Sequence, residues 1–195
     1  MKKYKLPILL ILGALLVVAS FALVTVFQIR GYIGSQESQK VAARMGELLP
    51  DRSAGIPGVY SNANMPILEI NDTDYVALLE IPAFDLTLPV ADGWDSNKLY
   101  KSPARFYGSC YDHSMVIGGV DNAYQFSFCD KIDNGTVITV TDMTGTQFSY
   151  TVSRVDRSKS AASNWLINSD FDLTLFCRDA YSMQYIAVRC SFIYS

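Results

Sequence analysis

The chain has 195 residues, 16 Lys and Arg against 19 Asp and Glu, a formal net charge of −3, and 50% hydrophobic residues. That leaves room for one ordinary domain with an appendage, and the acidic balance, with no basic cluster beyond the first residues, argues against a nucleic-acid partner. One histidine and four cysteines, with no C-x-x-C or Cys/His spacing, argue against a metal site, and no cofactor is expected.

In chain order, Lys2, Lys3 and Lys5 precede Leu6 to Phe27, about 22 residues without a charge. This is enough to cross a hydrocarbon core of roughly 30 Å. The positive-inside rule puts the N-terminus in the cytoplasm and the remainder outside the plasma membrane, in a single pass. The competing reading is a cleaved signal peptide, whose apolar region usually spans about 7–15 residues before a small-x-small site. Ala19-Ser20-Phe21-Ala22 is a poor version of such a site, and the apolar run continues past it. The organisation expected is a cytoplasmic N-terminus over 1–5, a transmembrane anchor over 6–29, a juxtamembrane stalk over 30–65 and a domain over 66–195. The stalk is polar and turn-rich, with one short helical patch from Gln36 to Leu49.

From Pro66 onward the periodicity is mostly two, with turn signals between runs. Tyr75–Ile81 reads as a strand stopped by Pro82, and Leu86–Val90 as another ended by Asp92-Gly93. Ser114–Gly119 is a buried-type strand, and Gln125–Ile132 a short helix. Thr136–Thr141 and Gln147–Ser153 form a hairpin about Met143-Thr144-Gly145. Arg157–Asn164 is a polar loop, and Phe171–Phe176 and Met183–Ile193 are the last strands. Some eight short strands with short helices point to a mostly β, closed eight-stranded barrel. Its interior is expected to hold Val116, Ile117, Val137, Ile138, Phe148, Tyr150, Leu173, Leu175, Ile186 and Val188.

The candidate for chemistry is Cys177. It ends the apolar run Leu173-Thr174-Leu175-Phe176 and is followed at once by Arg178. A strand end presents a thiol at the rim of a sheet, and a neighbouring cation favours the thiolate, the nucleophilic form. The bland alternative is a cysteine that serves only as a small core side chain. Outside the cell disulfides are permitted, and Cys110 and Cys129, which flank the same strand, are the pair expected to oxidise first. A Cys177–Cys190 bridge would remove the nucleophile.

The order of these pieces resembles a sortase, a membrane-anchored cysteine transpeptidase of mainly Gram-positive bacteria built on an eight-stranded barrel. The resemblance covers about Tyr75 to Phe192. It rests on Ile81-Pro82, Leu88-Pro89-Val90, Met115-Val116-Ile117-Gly118, the spacing of Phe126, Ile132, Gly135 and Thr136, the run Gly145–Val152, and Leu173-Thr174-Leu175-Phe176-Cys177. The resemblance implies a thiolate that attacks a Leu-Pro-x-Thr-Gly-type sorting signal and passes the acyl group to a cell-wall or pilin amine.

The departures from the family are as informative. The family's catalytic His falls on Gly119 and its catalytic Arg on Gln184, while Phe176 stands where a Thr precedes the Cys. Cys177 alone of the three catalytic residues carries over. His113 lies six residues before Gly119, about 20 Å along an extended strand, so it is expected at the far end. Arg178 and Asp121 are the possible substitutes, and Arg189 is expected to face solvent. Two readings follow: a transpeptidase or hydrolase with impaired or no activity, and a non-catalytic module that binds a peptide or protein partner at the cell surface.

Overall fold

The computed structural model describes residues 5–50, 53–58, 64–167 and 170–194. The elements in chain order are α1 (Lys5–Leu48), β1 (Ser53–Ala54), β2 (Leu68–Ile70), β3 (Thr73–Ile81), a 3-10 turn (Pro82–Phe84), β4 (Leu86–Ala91), β5 (Ala104–Tyr107), β6 (Met115–Gly118), β7 (Val137–Asp142), β8 (Thr146–Ser158), α2 (Ser163–Ile167), β9 (Leu173–Arg178) and β10 (Tyr185–Phe192). Pairing runs from β3 through β4, β5, β6, β9, β10, β8 and β7 and returns to β3, which closes a barrel of eight strands. β1 adds in parallel to β8, and β2 adds antiparallel to β3. One level of the barrel is fixed by the register Ala91–Ala104–Gly118–Phe176–Ala187, running across five adjacent strands. β6 and β9 run toward the end of the barrel that carries the turn after β3, and the loops that follow them leave there, whereas β4 runs the other way, toward the β7–β8 hairpin.

Alternation along the strands builds the interior. Ile117, Ile138, Phe148, Tyr150, Leu173, Leu175, Ile186 and Val188 lie in one buried cluster with Cys110, Cys129, Cys177 and Cys190. Two of the expected interior residues differ. Val137 is 46% exposed, because its partner Ile138 takes the inward position at the start of β7. Val116 is buried on the outer face, against Leu166, Phe176 and Ala187. The helix expected over Gln125–Ile132 is instead a run of turns with bonds such as Cys129 N–H to Phe126 O (3.1 Å) and Lys131 N–H to Phe128 O (2.9 Å). The β7–β8 hairpin is organised by buried Asp142. One of its carboxylate oxygens accepts the N–H groups of Thr144 and Thr146, and the other accepts the Tyr111 hydroxyl at 2.5 Å.

The largest departure from expectation is the stalk. α1 continues without a break to Leu48, so Gly31, Gly34 and Gly46 lie inside a helix. Each glycine weakens a helix by about 1 kcal/mol relative to Ala, but tertiary packing outweighs this. Val41, Ala42 and Met45 are buried against Ile70, Tyr75 and Leu78 of the barrel. The N-terminal part is the one helix among the described residues long and apolar enough to cross a membrane, with mean hydropathy 2.7.

Gly34 is required by the docking. A Cβ there would lie 2.3 Å from the backbone oxygen of Tyr100. Gly34→Leu is therefore expected to push α1 off the barrel and destabilise the fold by about 1–3 kcal/mol, the usual cost of overpacking. Chemical denaturation checks this, and an unchanged midpoint would refute the docking.

Candidate functional site

The parallel pairing of β6 with β9 brings the ends of two strands together. Gly118 lies opposite Phe176, and the Gly119 N–H donates to the Phe176 carbonyl at 3.0 Å. Gly119 and Cys177 are thus neighbours across the β6–β9 seam. Cys177 is inward-facing and only 1% exposed. It lines a groove of about 440 Å³ together with Asp121, Phe126, Asp130, Lys131, Asp179 and Ile186.

The space beside Gly119 is filled. A Cβ on Gly119 would meet Cγ and Cδ2 of the Phe126 ring at 2.8 Å. Phe126 is fully buried, so its ring stands where any side chain at position 119 would begin. The same residue meets the thiol through its backbone, with Cys177 Sγ 3.7 Å from the Phe126 carbonyl oxygen. The Cys129 N–H donates to that same carbonyl at 3.1 Å. This places Cys129 beside Cys177, since both meet the Phe126 carbonyl. Burial pushes the Cys129 thiol well above its ordinary value, and the Cys177 contact adds to the shift. The sequence pointed to Cys129 as an apolar position and as the partner of Cys110, and missed its place beside Cys177; both Cys110 and Cys129 are free. Its only signal was a second Cys within Gln125–Ile132, the segment expected to be a short helix.

The other candidate residues are placed as follows. Ile186 faces Cys177 across β9 and β10. Gln184 sits two residues earlier, where its carbonyl accepts the Asp179 N–H at 2.8 Å. Arg178 follows Cys177 and therefore points to the other side of the sheet. It donates to the Met183 carbonyl at 3.3 Å and lies 5.7 Å over the Tyr185 ring, away from the groove. Asp121 lines the groove, but one of its oxygens accepts the Ala180 N–H at 2.9 Å and so ties the two rim loops together. Asp179 is held below the usual carboxylate range by N–H groups of Ser182 and Tyr181. His113 is at the far end of β6, paired with Asp172 at 2.6 Å.

Arg189 differs from expectation because an aromatic and polar cover lies over the outer face of β9 and β10. The Phe176 ring stacks with Trp94 at 5.4 Å and meets Phe106 edge-on at 5.4 Å. Trp94 also lies over Gly118, whose added Cβ would sit 2.3 Å from the indole. Arg189 is 2% exposed rather than solvent-facing. Its guanidinium donates to Asp156, Thr174 Oγ1 and the carbonyls of Trp165 and Leu166, and lies 5.0 Å over the Trp165 ring.

All four cysteines are free and buried. Cys110 has Met65 Sδ as its sulfur neighbour, at 3.9 Å. Treatment with oxidised glutathione, which takes up the two electrons, is therefore expected to join Cys177 to Cys129. Mass spectrometry of peptides from the oxidised protein checks this, and a bridge from Cys129 to Cys110 would contradict it.

No protein-family model matches the sequence, and no curated protein does. Solved structures do match. Sortase A from Corynebacterium diphtheriae superposes with a TM-score of 0.55 at 18% identity, over 85% of this chain and 85% of that one. Sortase C1 from Streptococcus agalactiae gives 0.55 at 20% identity over 65% and 72%. Sortase C from Clostridium perfringens, solved with the C-terminal cell wall sorting motif, gives 0.52 at 20% identity over 60% and 70%. The barrel has the sortase fold.

Proposed function

We propose that this is a membrane-anchored sortase-fold module whose Cys177 groove binds an extended peptide, such as a sorting-signal-type segment or a surface-protein tail, without transpeptidation at an enzyme's rate. The observation that carries this reading is the Phe126 ring beside Gly119. A thiolate attack on a peptide carbonyl needs a donor for the leaving amine, and a positioned acid contributes about 10²–10⁴-fold. Gly119 offers none, and Phe126 leaves no room for one. The thiol also faces the Phe126 carbonyl oxygen, an acceptor where a developing oxyanion needs donors; loss of one such donor costs roughly 10²–10³. Gln184 has no charge to replace an arginine. The fold and its open groove remain, and a groove with Asp121, Asp130 and Asp179 on its rim suits a peptide that carries a cation.

The second reading is a slow thiol hydrolase or transpeptidase that hands the acyl group to a cell-wall or pilin amine. The position of Cys177 in the groove favours it. One experiment separates the two. The full-length protein is mixed with a Leu-Pro-x-Thr-Gly-type peptide, and binding and acyl adducts are followed together. Binding equal in wild type and Cys177→Ala, with no adduct on Cys177, supports the module. A thioester on Cys177 that turns over would establish the enzyme.

A further inference from the structure

The direction in which α1 leaves the barrel sets the orientation of the groove. Met45 packs on Tyr75 and Leu78, and Tyr75 pairs with Ala91 at the end of the barrel opposite the groove loops. Moving back along α1, Gly34 abuts Tyr100 in the loop after β4. Further out, the Tyr32 ring meets Tyr124 at 6.2 Å in the loop after β6. Tyr124 adjoins Asn122 and Ala123 on the groove wall. The helix therefore runs along the barrel from the end that carries Tyr75 and the β7–β8 hairpin and emerges past the groove end.

Distance along the helix adds the second observation. From the end of the apolar run at Phe27 to Tyr32 is five residues, about 7 Å at 1.5 Å each. The headgroup layer on each side of a bilayer is roughly 5–8 Å thick. Tyr32 falls in that layer, and Tyr124 touches it. The same end exposes Tyr181 at 96% and Met183 at 52%, on the opposite rim of the groove. Tyrosine is enriched at membrane–water interfaces because its ring is apolar and its hydroxyl is wet.

We infer that the groove end of the barrel, through Tyr32, Tyr124 and Tyr181, rests on the phospholipid headgroup layer, so that the Cys177 groove opens toward the membrane and meets peptides emerging from it. This rests on the reading of α1 as a membrane span. It deepens the proposed function by giving the partner a source: the membrane-proximal segment of another anchored chain.

Depth-sensitive spin labelling of the full-length protein in phosphatidylcholine vesicles tests this. The background is Cys177→Ala, and the other three cysteines have no exposed surface. Labels go at Ala123→Cys and Ser182→Cys on the groove end, Thr144→Cys in the exposed β7–β8 turn on the far end, and Leu16→Cys in the apolar run. The expected result is that Leu16 reads as hydrocarbon, that Ala123 and Ser182 are several-fold less accessible to a water-soluble nickel chelate than Thr144, and that Tyr124→Ser with Tyr181→Ser abolishes the difference. Ala123 and Ser182 as accessible as Thr144, with Leu16 in hydrocarbon, overturn the seating alone. Leu16 in water overturns the span and the seating together, while leaving peptide binding by the groove to be judged by its own experiment.

Discussion

Gly119→His alone is expected to yield a less stable protein with no gain in peptide cleavage. The new Cβ would start 2.8 Å from the Phe126 ring, and that ring is buried and cannot swing into solvent. Overpacking of this kind costs about 1–3 kcal/mol. Adding Phe126→Ala removes the obstruction, and the imidazole then partly refills a cavity that would otherwise cost about 3–5 kcal/mol. Gln184→Arg supplies a charged donor roughly 7 Å along the strand from the residue that faces Cys177, within reach of a long side chain. The triple variant is expected to cleave a Leu-Pro-x-Thr-Gly-type peptide about 10²–10⁴ times faster than wild type, read with a quenched fluorescent substrate. Activity in the single variant would sink the argument, since Phe126 would then not be the obstacle. A folded, peptide-binding triple variant that stays inert would show that the groove no longer presents the scissile bond to the thiol.

Arg189→Met is the second large effect. The guanidinium is 2% exposed and joins Asp156 on β8, Thr174 on β9 and two carbonyls of α2. Its removal leaves those acceptors without a donor, and breaking a buried pair in this way costs about 3–5 kcal/mol. The partly open Asp156, with Arg154 still 3.1 Å away, places the expected loss near the lower end, about 3 kcal/mol. Denaturant unfolding of wild type, Arg189→Met and Arg189→Lys checks it. A loss below about 1 kcal/mol, the range of exposed ion pairs, would show that the network is not buried in solution.

Alternation and turn residues carried most of the barrel in the sequence. Ile138, Phe148, Tyr150, Leu173, Leu175, Ile186 and Val188 could be placed because one face of each strand is apolar. Val137 could not, because a Val-Ile pair at a strand start gives no phase. The continuous α1 was hidden by its glycines: Gly34 reads as a breaker, and only the approach of Tyr100 explains it. Cys177, Gly119 and Gln184 were nameable from linear order alone. Phe126 was not, since an aromatic residue seven positions after Gly119 has no reason in sequence to fold back over it. Arg189 looked like an outward, wet residue because alternation tells inside from outside but not whether the outside is covered.

The unbroken α1 has a consequence for how the domain searches for partners. A flexible tether of about 18 residues would let a domain wander over roughly 20–25 Å. Here the corresponding stretch is helix, with Val41, Ala42 and Met45 fastened to the barrel. In the anchored form proposed above, the groove keeps one height and one tilt, and turns only as the helix turns about its own axis. Encounters are then planar collisions between molecules diffusing in the same sheet of lipid, and any peptide held far above that sheet is out of range whatever its sequence.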